Sequence, residues 1–387
     1  MPFVVYLLGL TIFSLTTAEF MLAGMMPSLA AALDVSVGEV GYLISLYALG
    51  MAIGGPLLTA LSLALRMPNK QALFWLLMIN VGGAVLAAMA PTYEVLAVAR
   101  ILMGVASSAC IGVSLTICAQ LVAPEARGRA ASFVLGGLML SPVLGVPATA
   151  LIEQQYGWRA SFWAVAVLSM LCTAVVAALV PASSQQAKVS LALEFKRLLN
   201  RRLWAAYLTS GLIIGASFTA FTYFSPIFVS LSGYGTGALP WLLALYGVAN
   251  VLGNIVVGRY ADQHTLPVLA FGLAVLASAL AAFGLFAEHL VISTAAFLII
   301  GLSGVSLNPA MAARVMRAAS PGPLVNTMHT SIITAGIAFG SWAGGAGIDA
   351  GYGLRWPLWV GATLAVIGLL SVLPVLRTRV GTVAVAS

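Results

Sequence analysis

One carboxylate, Glu19, lies about midway along the apolar run 4–28, in the segment SLTTAEFMLAGMMP. An ionisable group in the middle of a lipid-spanning helix costs about 2.5–3.5 kcal/mol even on insertion scales, so it calls for a purpose. Burial favours the neutral form of a carboxyl group and a nearby cation favours the charged form. A glutamate held between the two can load and release a proton; the alternative is a static side chain locked by a hydrogen bond or ion pair. The second exception is Arg100, in LAVARILMGVASS. Arg100, Gly104 and Ser107/Ser108 fall at helical spacing on one face. Arginine keeps its charge and cannot carry the proton, but it can tune a carboxylate or hold an anionic group. Its alternative is a snorkelling side chain reaching an interface, since Glu94 marks the helix start six residues earlier.

Weaker chemistry is spread along other apolar runs. Tyr246, Asn250 and Asn254 stand at i, i+4 and i+8 and share a helix face. Tyr47, Asn80, Tyr223 and Asn308 are further candidates to line a cavity for substrate, and His329 titrates near neutrality if it is wetted. Each of these is also an ordinary interhelical hydrogen-bonding residue. Gly137, Pro142, Gly145 and Pro147 predict a bent helix that a neighbour approaches closely. Gly336, Gly340 and Gly344 form a small-xxx-small stripe suited to tight packing.

The elements that must position these residues are membrane helices. Of 387 residues, 61% are hydrophobic and 7% charged, with a mean hydropathy of +1.07. Soluble domains carry roughly a quarter charged residues, so most of this surface must face lipid. Long unbroken apolar runs exclude the alternating pattern of a membrane barrel. The expected spans are 4–28, 40–64, 71–90, 94–121, 129–151 and 159–180, then 204–231, 239–259, 266–286, 290–313, 324–347 and 356–376. The chain thus reads as an all-α polytopic membrane protein: an N-terminal six-helix bundle (1–182), a cytoplasmic linker (183–202) and a C-terminal six-helix bundle (203–387). The linker's EFKRLLNRR is either a short amphipathic stretch on the anionic leaflet or a solvated connection. The start, MPFVVYLLGLTIF, lacks a basic n-region and reads as a retained span rather than a cleaved signal.

Orientation follows from charge. With both termini cytoplasmic, Arg66, Lys70, Arg127, Arg129, Lys188, Lys196, Arg197, Arg201, Arg202, Arg259, Arg314, Arg317, Arg377 and Arg379 fall on one side. Only Arg159 and Arg355 fall on the other, which satisfies the positive-inside rule. The halves also echo each other: Tyr156-Gly157-Trp158-Arg159 recurs as Tyr352-Gly353-Leu354-Arg355, 196 residues later. Both copies sit where an outer loop enters the last helix of its half, as in a parallel repeat.

Other function classes find no support. No glycine-rich loop ends in Gly-Lys-Ser/Thr, and Gly345-x-Gly347-x-x-x-Gly351 lacks the spacing and strand of a dinucleotide site. His264, His289 and His329 show no metal spacing, and Cys110, Cys118 and Cys172 read as small packing residues. The net charge of +7 is distributed for topology rather than for nucleic acid. An enzyme should bring several ionisable groups together within the membrane, and only Glu19 and Arg100 qualify.

With these residues in place, the chain resembles the drug:proton antiporter branch of the major facilitator superfamily, and within it the chloramphenicol-exporter and arabinose/sugar-efflux-like permeases. Thr17-Ala18-Glu19-Phe20 leading to Pro27 is similar to the family's first-span element, and Arg100-x-x-x-Gly104 to that of its fourth. Gly137-x-x-x-Ser141-Pro142-x-x-Gly145-Val146-Pro147 keeps the proline and two glycines of the antiporter motif but replaces two others. The loop motif Gly-x-x-x-Asp-Arg is missing after the second span, where Thr59 to Lys70 lacks the aspartate, and survives as Gly258-Arg259-Tyr260-Ala261-Asp262. That loss bears on the charge latch between conformations. The resemblance implies a major facilitator fold in the cytoplasmic membrane and proton-coupled export of small amphipathic, drug-like compounds, with multidrug or antibiotic resistance as the consequence. It implies Glu19 and Arg100 in proton coupling, a proton gradient in place of any cofactor, and a monomer partnered by substrate, protons and lipid. A sugar or metabolite efflux permease and an uptake symporter are the nearest alternatives; a transport-inactive receptor is a remote one.

Overall fold

A chain this apolar must satisfy its backbone polar groups within each segment, and helices do so. The computed structural model describes residues 2–65, 67–123, 126–181, 198–319 and 323–384. Among the described residues, twelve helices are long and apolar enough to cross a membrane: α1 Phe3–Leu33, α2 Val37–Leu58, α3 Asn69–Ala88, α4 Tyr93–Leu121, α5 Arg127–Tyr156, α6 Trp158–Leu179, α7 Arg201–Ser230, α8 Thr236–Ala261, α9 Thr265–Leu285, α10 Leu290–Ala318, α11 Val325–Tyr352 and α12 Trp356–Leu373. Each coincides with one expected span. Most of the linker expected at 183–202, with Lys188, Lys196 and Arg197, and also Arg66, lie outside the described residues.

Two helices differ from their sequence reading. The first span, expected over 4–28, runs on to Leu33; Pro27 is accommodated by a non-helical Met25 (φ −118°, ψ 15°) that bends α1. α10 is not continuous. Helix runs from Leu290 to Ser303, a 3-10 turn takes Val305–Leu307, and helix resumes at Asn308. Pro309 has no N–H and its ring would strike the carbonyl of Val305, so the regular helix yields one turn earlier. Hydroxyls close part of the exposed backbone: Ser303 donates to Ile299 O at 2.7 Å and Ser306 to Leu302 O at 2.5 Å.

The chain divides into two compact units. One holds residues 1–189 with 236–247, so that it includes the first half of α8; the other holds 190–235 with 248–387. In the first unit α1 packs on α5, α2 on α4, and α3 on α4 and α6. In the second, α7 packs on α11, α9 on α10 and α12, and Gly253 of α8 lies against Leu302 and Ser306 of α10. The same pairings thus recur within each unit. Gly137 of α5 lies against the backbone of Gly9 and Phe13 in α1, and Gly336 and Gly340 of α11 against Gly211 and Gly215 in α7. A Cβ at these glycines would collide with the facing backbone, so their absence of a side chain sets the helix separation.

The sequence echo has a structural counterpart. Gly157 (φ 82°, ψ 162°) and Gly353 (φ 78°, ψ 176°) share one backbone conformation at the α5–α6 and α11–α12 corners. That region is accessible essentially only to glycine. Gly157→Ala and Gly353→Ala should each destabilise the detergent-purified protein by about 1–3 kcal/mol. Gly258→Ala, where an added Cβ meets nothing within 4 Å, should not. Thermal unfolding of the three variants checks the difference.

Candidate functional site

The site begins with a close approach. Gly104 of α4 sits directly on the backbone of Tyr47 in α2, where any Cβ would overlap the Tyr47 carbonyl. One turn away on the same α4 face, Arg100 is thereby laid over the Tyr47 ring, its guanidinium carbon 4.2 Å from the ring centroid. Such cation–π contacts are worth up to about 2 kcal/mol when desolvated.

Arg100 is 0% exposed, which excludes snorkelling to an interface. Its charge is met by backbone. Nη1 donates to Ala18 O at 2.6 Å, Nη2 to Glu19 O at 2.9 Å, and Nε to Leu43 O at 3.3 Å. The Tyr47 hydroxyl donates to Leu15 O at 3.2 Å. Leu15, Ala18 and Glu19 stand at i, i+3 and i+4, so two side chains grip one carbonyl face of α1. Arg100 therefore joins α1, α2 and α4.

The carboxyl of Glu19 is handled differently. It is 5% exposed, and among the described residues no hydrogen bond or ion pair fixes it. Arg100 is the cation that acts on it electrostatically, although that guanidinium contacts only the Glu19 backbone. The structure places Arg100 on the backbone of Glu19, a contact the sequence did not foretell because backbone acceptors leave no trace in residue types.

α5 is bolted to α1 beside this point. Ser141–Gly145 form a π-turn around Pro142. Ser141, a departure from the motif the chain resembles, pairs its hydroxyl with Thr17 Oγ1 at 3.1 Å, and Thr17 also donates to Phe13 O at 2.7 Å. Gly145 lies against Thr17, two residues from Glu19, and Pro147 is buried as the α-helix resumes. Gly247 of α8 packs on the backbone of Pro142 and Val143. Glycines and prolines of this segment thus act both in packing and in bending.

Several expected cavity residues are engaged in holding helices together. Asn80 donates to Met103 O at 3.5 Å and accepts from Ser169 at 3.4 Å; Ser169 pairs with Ser14 at 2.9 Å, linking α3, α4, α6 and α1. Tyr223 donates to Ser341 O at 2.5 Å, joining α7 to α11. His329 of α11 pairs with Ser210 at 2.9 Å and stacks on Tyr207. Along α8, Tyr246 falls in the first unit and Asn250 and Asn254 in the second; Tyr246 and Asn250 are buried, Asn254 half-buried. Asn308 is half-buried where α10 resumes. Arg259 and Asp262 are exposed, and it is the Asp262 backbone carbonyl, not its carboxylate, that accepts from Arg317.

Sequence reasoning missed Arg314. Counted as a solvated charge beside the membrane, it lies inside α10 and is 9% exposed. Residue type and spacing gave no signal, since Arg317, three residues on and exposed, reads the same in sequence. Among the described residues no group of three His, Cys, Asp or Glu side chains could hold a metal ion.

Comparison with known proteins is consistent along the chain. The family model described as Major Facilitator Superfamily matches residues 8–328. The chain is 31% identical over 391 residues to a chloramphenicol resistance protein of Streptomyces lividans, covering 100% of this chain and 99% of that protein. It is 33% identical over 381 residues to the inner membrane transport protein YdhP of Escherichia coli K12, covering 98% and 97%. In fold it is similar to a bacterial homolog of the human lysosomal transporter Spinster, solved in an inward-facing and occupied conformation, with a TM-score of 0.75 and 15% identity over 96% of both chains.

Arg100→Lys should not replace arginine here, because one ammonium cannot reach carbonyls on both α1 and α2 in a planar fork. Loss of these charge-assisted bonds should cost about 3 kcal/mol or more, and Tyr47→Phe about 1 kcal/mol. Thermal unfolding in detergent reads both, and equal stability of Arg100→Lys and wild type would contradict the clamp.

Proposed function

The chain belongs to the Major Facilitator Superfamily, and from that premise we propose that it is a proton-coupled secondary transporter that exports small amphipathic compounds by alternating access. It is a multi-pass membrane protein; its place is the cytoplasmic membrane, as a monomer with both termini inside. The distribution of lysine and arginine supports that orientation even with buried Arg314 set aside.

One observation carries the reading: α1 presents a buried carboxyl that has no hydrogen bond or ion pair among the described residues, beside an arginine held by three backbone carbonyls. A clamped cation supplies a constant field, whereas an unclamped carboxyl is free to exchange its proton. Apolar surroundings and the Arg100 charge act on that proton in opposite senses, so wetting from either side shifts its occupancy. Protonation then biases one facing state over the other, the differential that coupled transport requires. Substrate competes for the same conformational equilibrium, with Asn250, Asn254 and Asn308 as polar contacts in the second unit. The relative from Streptomyces lividans points to chloramphenicol as the first compound to test.

In proteoliposomes enclosing a pH-sensitive dye, chloramphenicol and a panel of amphipathic compounds should move protons through the wild type. Glu19→Gln should reduce that flux to the level of protein-free liposomes. Undiminished proton flux in Glu19→Gln would remove Glu19 as carrier, and no flux in the wild type with any compound would overturn proton coupling.

A further inference from the structure

The second unit contains a buried cation that the proposed transport cycle does not use. Arg314 of α10 directs Nη1 to Thr209 Oγ1 of α7 at 2.8 Å, and Thr209 pairs in turn with Ser371 of α12 at 2.7 Å. Among the described residues that hydroxyl is its single hydrogen-bond partner, and no carboxylate lies within 4 Å. Guanidinium presents five N–H donors in a planar fork. Arg100 in the other unit shows the alternative, a buried guanidinium with three donors taken up by carbonyls. Arg314, 9% exposed, has not been closed off in this way.

Its surroundings indicate what would complete it. Arg314 is one turn, about 6 Å, from the end of α10 at Ala318. Asn200, at the start of α7, donates to Ala318 O at 2.6 Å, and Arg317 to the Asp262 carbonyl, so these chain ends meet at one face of the unit. Exposed Arg201, Arg202, Arg259 and Arg317 stand on the same face. Arg314 thus lies near the end of its helix, buried and backed by hydroxyls, while the arginines of the neighbouring chain ends are exposed. These four arginines outnumber the exposed Asp262 carboxylate beside them; a net cationic surface draws counter-charge inward, and a guanidinium fork matches a phosphate or carboxylate edge.

We propose that Arg314 is the core of a binding site for a phosphate-type oxyanion entering from this face of the second unit; Thr209 and Ser371, whose hydroxyls also donate to Ala205 O at 3.0 Å and Gly368 O at 2.6 Å, position the guanidinium rather than contact the anion. The oxyanion is supplied either by an anionic phospholipid head group or by free phosphate. The site is independent of proton coupling at Glu19.

Two measurements on the purified full-length protein separate the sources. Native mass spectrometry compares retention of phosphatidylglycerol with that of phosphatidylcholine, and thermal unfolding is followed in inorganic phosphate against chloride at matched ionic strength. The wild type should prefer phosphatidylglycerol, or be stabilised by phosphate beyond chloride, or both; the arm that responds names the source. Arg314→Gln should weaken that binding about tenfold or more. Thr209→Val, which retains the cation, should weaken it severalfold, about 2- to 10-fold, and keeps the test decisive if Arg314→Gln does not fold. A wild type with no preference in either arm overturns the site, as does undiminished binding by the folded variants.

Discussion

A guanidinium inside a lipid-spanning bundle must find acceptors without water, and Arg100 finds them in the main chain of two other helices. Charge-assisted hydrogen bonds of this kind contribute about 1.5–3 kcal/mol each, whereas an unmet buried charge would destabilise the unit by several kcal/mol. The arginine therefore determines how α1, α2 and α4 stand together. Gly104 brings α4 near enough for the reach, Tyr47 provides the surface on which the guanidinium lies, and Leu15, Ala18 and Glu19 present the carbonyl face. Because Arg100 is occupied by backbone, the Glu19 carboxyl has no hydrogen bond or ion pair among the described residues while still within its field. That separation of a fixed charge from a titratable carboxyl is the basis of the proposed function.

The two units solve similar packing problems with similar means. Glycines let α5 approach α1 and let α11 approach α7, and corner glycines at 157 and 353 share one backbone conformation. Their buried arginines differ. α4 carries Arg100, enclosed by carbonyls; α10 carries Arg314, held by a hydroxyl near the end of its helix. At the 196-residue offset the counterpart of Arg100 is Ala296, so the two arginines occupy different places in their halves.

Much of the fold was legible in the sequence because hydrocarbon thickness and backbone satisfaction allow so few alternatives. Glu19 and Arg100 were legible for the same reason: ionisable residues are costly enough in lipid to stand out. What remained hidden depends on geometry that residue types do not encode. The acceptors of Arg100 are carbonyls, common to every residue. The break in α10 comes one turn before Pro309 and is visible only when the displaced hydrogen bonds are followed. Tyr47, Asn80 and Tyr223 were read as cavity candidates from polarity alone, and their polar atoms bind neighbouring helices. Arg314 was counted with the loop charges because a span's last turn and the loop after it look alike in sequence.

The central claim, that the Glu19 carboxyl exchanges a proton as transported compound binds, is tested most directly by counting protons. In lightly buffered detergent solution, addition of a transported compound to the wild type should release protons, and Glu19→Gln, folded and able to bind, should release none. Equal proton release by the two proteins would contradict the account.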